Sequence, residues 1–223
     1  MNGEIPGDTG TGGGTGATAG PAGGAPGPAG GAPRGRPRSA EADRAILTAT
    51  ADLLAERGLA AMSIEEVAAR AGVGKTTIYR RWPSKGLLAL DAFVSSFRAE
   101  QPQPDTGTLR GDRLSALHAW VRVVTQTATG PMLTGLIAEA QHDPELRGAW
   151  RDRVLEPMRT QHRVMLDRAI ERGEIPATVD RDVVLDLFFG AAEHRLLLGH
   201  LPMTGDFIAE VVDMILTGIA GPR

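Results

Sequence analysis

The sequence predicts an all-α fold of about nine helices, a small N-terminal bundle followed by a larger helical body. Three observations carry that prediction. Apolar residues recur at three- and four-residue spacing through most of residues 41–219, as a helix with one buried face requires. No segment shows the alternation of apolar and polar residues that marks a half-buried strand. Ser, Thr and Asp at helix starts, with Gly or Pro at the ends, cut the chain into ordinary helix lengths.

Composition narrows the class. The chain has 223 residues, enough for one medium domain or two small ones, and 42% apolar content supports a packed core. Cysteine is absent, which excludes a disulfide framework and a thiolate metal site and fits a cytoplasmic location. No apolar run approaches the ~20 residues of a membrane span, and no leader pattern opens the chain. Net charge is only −3. Residues 34–88, however, hold ten Lys/Arg against six Asp/Glu, a net of +4, while residues 89–223 hold fourteen against nineteen, a net of −5. A basic module on an acidic body is the footprint of local phosphate binding.

Residues 1–38 read as a tail. Up to residue 33 it is mostly Gly, Ala, Pro and Thr without an aromatic side chain, so disorder is expected. Arg34-Gly35-Arg36-Pro37-Arg38 follows. Arg36 and Arg38 could lie in a narrow minor groove or along phosphates, and the Arg-Gly-Arg-Pro core resembles the AT-hook motif. A solvated basic linker is the plainer reading.

Helix one is expected from Glu41 to Arg57, with Ile46, Thr50, Leu53 and Leu54 inward and Gly58 ending it. The next stretch, SIEEVAARAGVGKTTIYRRWPSK at 63–85, is the most informative. Ser63 and Glu66 form a capping box, and Ile64, Val67, Ala68 and Ala71 make a buried stripe. Gly72 ends that helix, since a left-handed residue costs glycine little. A second short helix starts at Gly74 or Lys75, with Ile78 and Trp82 inward and Val73 closing the corner. Its outward side carries Lys75, Thr76, Thr77, Tyr79, Arg80 and Arg81, with three bases and no acid. Such a helix suits the DNA major groove. The GKT within AGVGKTT is not a phosphate loop: position 69 is Ala where glycine is needed, and a helix precedes it rather than a strand.

Ser84 caps a fourth helix to Ala99, with Leu87, Leu90, Val94 and Phe97 inward, and QPQPDTG at 101–107 marks a boundary. Five body helices follow. Thr108–Thr127 carries Leu114, Leu117, Trp120, Val121 and Val124; Pro131 opens one to Gln141. Asp143-Pro144-Glu145 starts a long helix to Arg172 that Pro157 should kink. Asp180 caps one to Gly199, and Thr204 or Gly205 starts the last, to Ile219. These last two are apolar over wide faces, through Val183, Val184, Leu187, Phe188, Ala191 and Leu198, then Ile208, Val211, Val212, Ile215 and Ile219. That excess suggests a dimer interface.

From about Ala45 to Ala92 the chain, with the landmarks ILTATADLLAERGLAAMSIEEVAARAGVGKTTIYRRWPSKGLLALDAF, resembles the DNA-binding domain of TetR-family transcriptional regulators. The resemblance implies a helix-turn-helix DNA-binding domain at 39–100 and a ligand-binding and dimerisation domain at 101–223. It further implies a homodimer paired through the last two helices, binding a palindromic operator on double-stranded DNA and released by a small-molecule effector. Lys75, Thr76, Thr77 and Arg80 are candidates for base edges. Ser63, Tyr79, Arg81 and Lys85 are candidates for phosphates, and Trp82 for the core. Candidate pocket residues are Trp120, Met132, Ile137, Trp150, Met158, His162, Met165, Phe189 and His194, though Met and aromatic residues at helical spacing also read as ordinary core. No H-E-x-x-H, G-x-S-x-G or cysteine nucleophile is present, so no enzyme, metal or cofactor is expected. A helical dimeric adaptor without sequence-specific DNA binding is the alternative.

Overall fold

Helix α1 (Arg36–Ala61) is the spine of the N-terminal bundle in the computed structural model, which describes residues 12–13, 36–97 and 104–219. Its backbone is helical five residues earlier than expected. Pro37 permits this, because the first turn needs no N–H from it. The helix breaks at Gly58, whose φ of 73° and ψ of 172° are non-helical. Ile46, Leu53 and Leu54 are buried, and so is Thr50, whose hydroxyl donates to the Ile46 carbonyl at 2.7 Å. Most of the expected tail, and the side chains of Arg36 and Arg38, lie outside the described residues.

α2 (Ile64–Ala71), α3 (Lys75–Tyr79) and α4 (Lys85–Phe97) complete the bundle, with α1 packed on α2 and α4. The body comprises α5 (Leu109–Gln126), α6 (Thr129–Ala140), α7 (Pro144–Trp150), α8 (Glu156–Glu171), α9 (Arg181–Leu198) and α10 (Gly205–Ile219). A π-helical turn, Arg151–Leu155, joins α7 to α8, so the two form one interrupted helix and the described residues hold nine helices in all. The expected kink at Pro157 thus falls upstream of it. A proline cannot donate to the carbonyl four residues back and its ring crowds that group, here Arg153 inside the wide turn. Glu156 N–H donates instead to Arg151, five residues back.

α6 joins the two modules by packing on α1, α4 and α5. It starts at Thr129, two residues before Pro131. Gly130 permits the close crossing onto α5, since a Cβ there would lie 2.0 Å from the Val124 carbonyl oxygen. α5 also contacts α8 and α10, and α9 lies against α8 and α10. No helix among the described residues is long and apolar enough to cross a membrane.

Candidate functional site

The turn between α2 and α3 is set locally. Ser63 Oγ accepts from the Glu66 N–H at 3.2 Å, and Glu66 accepts in return from the Ser63 N–H at 3.2 Å. The Ser63 hydroxyl also holds the Glu66 carboxyl below its ordinary range. At the other end Gly72 sits at φ 66°, and Val73 N–H donates to the Ala68 carbonyl at 3.0 Å. Only a residue without Cβ adopts that left-handed turn cheaply.

α3 is short and gains its rigidity from the core. Ile78 and Trp82 are buried, and helical hydrogen bonds continue to Trp82 through the Ile78 carbonyl at 2.9 Å. The indole N–H of Trp82 donates to Asp91 on α4 at 2.8 Å. Lys75, Thr76, Tyr79 and Arg80 therefore share one exposed face, with Thr77 half-buried at its edge. Tyr79 is 50% exposed. Arg80 makes no ion pair among the described residues. Lys75 lies 2.8 Å from Glu65, and the hydrogen bond between them raises the Lys75 pKa and lowers that of Glu65.

Two expected phosphate contacts are engaged inside the protein. Arg81 is half-buried and ion-paired with Asp43 on α1. Lys85 calls for a correction. Its ammonium donates to the carbonyls of Leu59, Ala60 and Met62 at 2.9, 3.3 and 3.3 Å, which uses all three of its donors. The position beside the break in α1 leaves carbonyls that a cation can reach.

In the body, Trp120, Trp150 and Met158 come together around a cavity of about 30 Å³, with Phe93 and Phe97 from α4 and Glu193 from α9. A groove of about 80 Å³ shares the walls Phe93, Phe97, Val154 and Met158 and opens toward Arg153. Met132 and Met165 are buried in the core and Ile137 is half-buried, but none of the three lines either space. His194 is the second correction: it is exposed, with its ring 4.9 Å from that of His200. Position 194 lies 200° around the helix from buried Ala192, so it points away from the core.

His162 and Phe189 belong to a polar group that sequence reasoning missed. Arg113 is wholly buried, and its Nη1 donates to His162 Nδ1 at 2.8 Å. Its guanidinium carbon lies 4.4 Å from the Phe188 ring centre and 5.3 Å from that of Phe189. His162 meets Phe189 edge-on at 5.0 Å. Burial, reinforced by Arg113, pushes the His162 pKa down to about 3, so its ring is neutral. Arg113 and Glu193 had a legible signal, since each falls on the buried stripe of its helix. Among the described residues no group of three His, Cys, Asp or Glu side chains is placed to hold a metal.

A capped helix, a glycine turn and a braced cationic helix define a helix-turn-helix DNA-binding regulator. Residues 46–92 match the family "Bacterial regulatory proteins, tetR family", and residues 103–215 match "Tetracyclin repressor-like, C-terminal domain". The chain belongs to the TetR family of transcriptional regulators. It is 34% identical to the uncharacterized HTH-type transcriptional regulator YdeS of Bacillus subtilis, over 84% of this chain and 93% of that one. It is 37% identical to the DNA-binding transcriptional repressor TetR of Mycobacteroides abscessus, over 85% and 97%. Among solved structures it is similar to the TetR family transcription regulator SCO0332, with a TM-score of 0.70 and 38% identity, covering 81% of this chain and all of that one. These relatives are regulators, not enzymes.

Proposed function

We propose that this regulator is a repressor that binds a pseudo-palindromic operator as a homodimer and is released by a small, largely apolar ligand. The observation that carries it is the exposed face of α3, where Lys75, Thr76, Tyr79 and Arg80 stand together above a buried Ile78–Trp82 anchor. Lys75, Thr76, Thr77 and Arg80 read base edges in the major groove. Ser63 and Tyr79 position the head on phosphates, and Arg36 and Arg38 at the start of α1 add contacts beside it. Lys85 takes no part, because its donors hold backbone carbonyls.

Dimerisation is supported by apolar side chains left on the outside of α9 and α10. Val183 and Leu187 are about half exposed, Leu198 is 65% exposed and Met214 is 69% exposed. A monomer seldom leaves such a stripe in water. Two heads related by a two-fold axis then read two half-sites. Repression is supported by the relative from Mycobacteroides abscessus, which carries that description. Ligand release is supported by the aromatic-walled cavity beside the Arg153-bearing turn. Operator binding in the cytoplasm follows from the same reading.

Selection of duplexes from a random library by the full chain, with sedimentation of the protein alone, tests this. The expected outcome is one inverted-repeat sequence bound by a dimer. Binding without sequence preference would favour the adaptor reading, and a monomer at micromolar concentration would contradict the dimer.

A further inference from the structure

We infer that Arg113 anchors the carboxylate of a small apolar acid, and that acids of this class are the effectors of the body. The inference rests on the reading above that the body takes a small ligand, and it adds the ligand's chemistry.

Arg113 and its neighbour Asp112 are the two wholly buried charged residues among the described residues of the body, and they form no ion pair with each other. Among the described residues Nε and Nη2 of Arg113 have no hydrogen-bond partner, and no Asp or Glu forms an ion pair with it. Only Nη1 is engaged, with His162 Nδ1. Arginine has no acceptor, so that contact fixes the imidazole proton on Nε2 and leaves the ring neutral. A neutral ring supplies no counter-charge. The Phe188 and Phe189 faces offset part of the cost of burying the cation, but an unpaired buried charge costs far more than such contacts return. Burial by itself brings the guanidinium down to about 10, so it stays charged at neutral pH.

The two free nitrogens share one edge of the guanidinium and present two parallel N–H bonds. That edge matches the two oxygens of a carboxylate. Elsewhere in this chain Arg110 uses the same edge on Asp213, at 2.6 and 2.9 Å.

The apolar end of the ligand has a place beside it. Along α5, Trp120 lies two turns from Arg113; along α8, Met158 lies one turn from His162; along α9, Glu193 lies one turn from Phe189. Trp120, Met158 and Glu193 wall the same cavity with Phe93 and Phe97. The Arg113 layer and the cavity layer are therefore roughly 6–10 Å apart along the helices. Burial, with Asp186 nearby, raises the pKa of Glu193 at the far wall of that cavity. The cavity of about 30 Å³ is smaller than such an acid, so binding has to part the helices around it. That gives the ligand different affinities for two states of the body, as release requires.

The test uses the full chain and a panel of straight-chain and aromatic carboxylic acids, each paired with its primary amide. Thermal shift, tryptophan fluorescence and displacement of operator are measured. The acids should bind roughly tenfold or more tightly than their amides, as a charged two-pronged contact predicts. Arg113→Met should lose that preference while melting at or above the wild-type temperature, because it removes an unpaired buried charge. Equal binding of acid and amide, retention of the preference in Arg113→Met, or binding by no acid of the panel would each overturn the carboxylate anchor. Should Arg113→Met fail to fold, Arg113→Lys keeps the charge without the two-pronged edge and should bind the acids roughly tenfold more weakly; unchanged affinity overturns the anchor. Neutral compounds that bind and release operator while the acids do not would sink the anchor and leave ligand release standing. If neither class moves operator affinity, both readings fail.

Discussion

Arg153, on the π-helical turn of the body, and Trp82, just after α3, donate to opposite oxygens of one carboxylate, that of Asp91. The distances are 2.7 and 2.8 Å. Arg153 also lines the groove beside the aromatic cavity. One side chain on α4 thus touches both the segment just after α3, the helix proposed to face DNA, and the turn beside the proposed ligand space. Asp91→Ala strands the buried indole N–H and should cost about 1–3 kcal/mol in urea unfolding, with weaker operator binding. Asp91→Asn keeps an acceptor for the indole. It loses only the Arg153 pair, which is exposed enough to contribute about 0–1 kcal/mol. Equal losses in the two variants would contradict the bridge.

Lys85 separates support from contact. Removing its ammonium in Lys85→Ala leaves three backbone carbonyls without their donor and should lower stability by about 1–2 kcal/mol. The salt dependence of DNA binding should keep its slope. A phosphate-binding lysine would instead reduce that slope by about one and leave the melting curve in place.

The same substitution at two helical glycines should have opposite signs. Gly130→Ala drives a methyl against the Val124 carbonyl and should destabilise by about 1–3 kcal/mol, because backbone has to move. Gly148→Ala in α7 meets nothing within 4 Å and should stabilise by about 0.5–1 kcal/mol. Denaturant midpoints of the two variants measure both.

His162 makes stability pH-dependent. Its folded pKa of about 3 lies below its ordinary value of 6.5, so between those values the unfolded chain binds a proton that the folded chain refuses. Its contribution to stability is complete above about pH 6.5 and falls as pH is lowered toward 3. His162→Gln keeps an acceptor for Arg113 and does not titrate. The loss of stability between pH 7.5 and pH 5 should therefore be smaller in the variant than in the wild type.

What was legible in the sequence was local. Ser63, Glu66 and Gly72 announce the first motif helix because a cap and a left-handed turn depend on neighbours three or four residues away. Ile78 and Trp82 announce the buried side of α3 for the same reason. Contacts between distant segments were not legible. Lys85 reads as a free cation until the carbonyls after Gly58 are placed beside it, and Arg81 until Asp43 is. His194 reads as a pocket residue until the buried face of α9 is fixed. Arg113 was the most informative miss. A cation at the position of a helix stripe shared with Leu117, Trp120 and Val124 signals burial, but only the packed body shows that among the described residues no acid pairs with it.

The most direct test of the account is operator affinity, by fluorescence anisotropy on the selected duplex and its single-base variants, for wild type, Lys75→Ala and Arg80→Ala. Each variant should lose about 1–3 kcal/mol on the selected sequence and no longer distinguish the base it contacted. Affinity and base preference unchanged in both variants would contradict this, because the exposed face of α3 would then not be the surface that reads DNA.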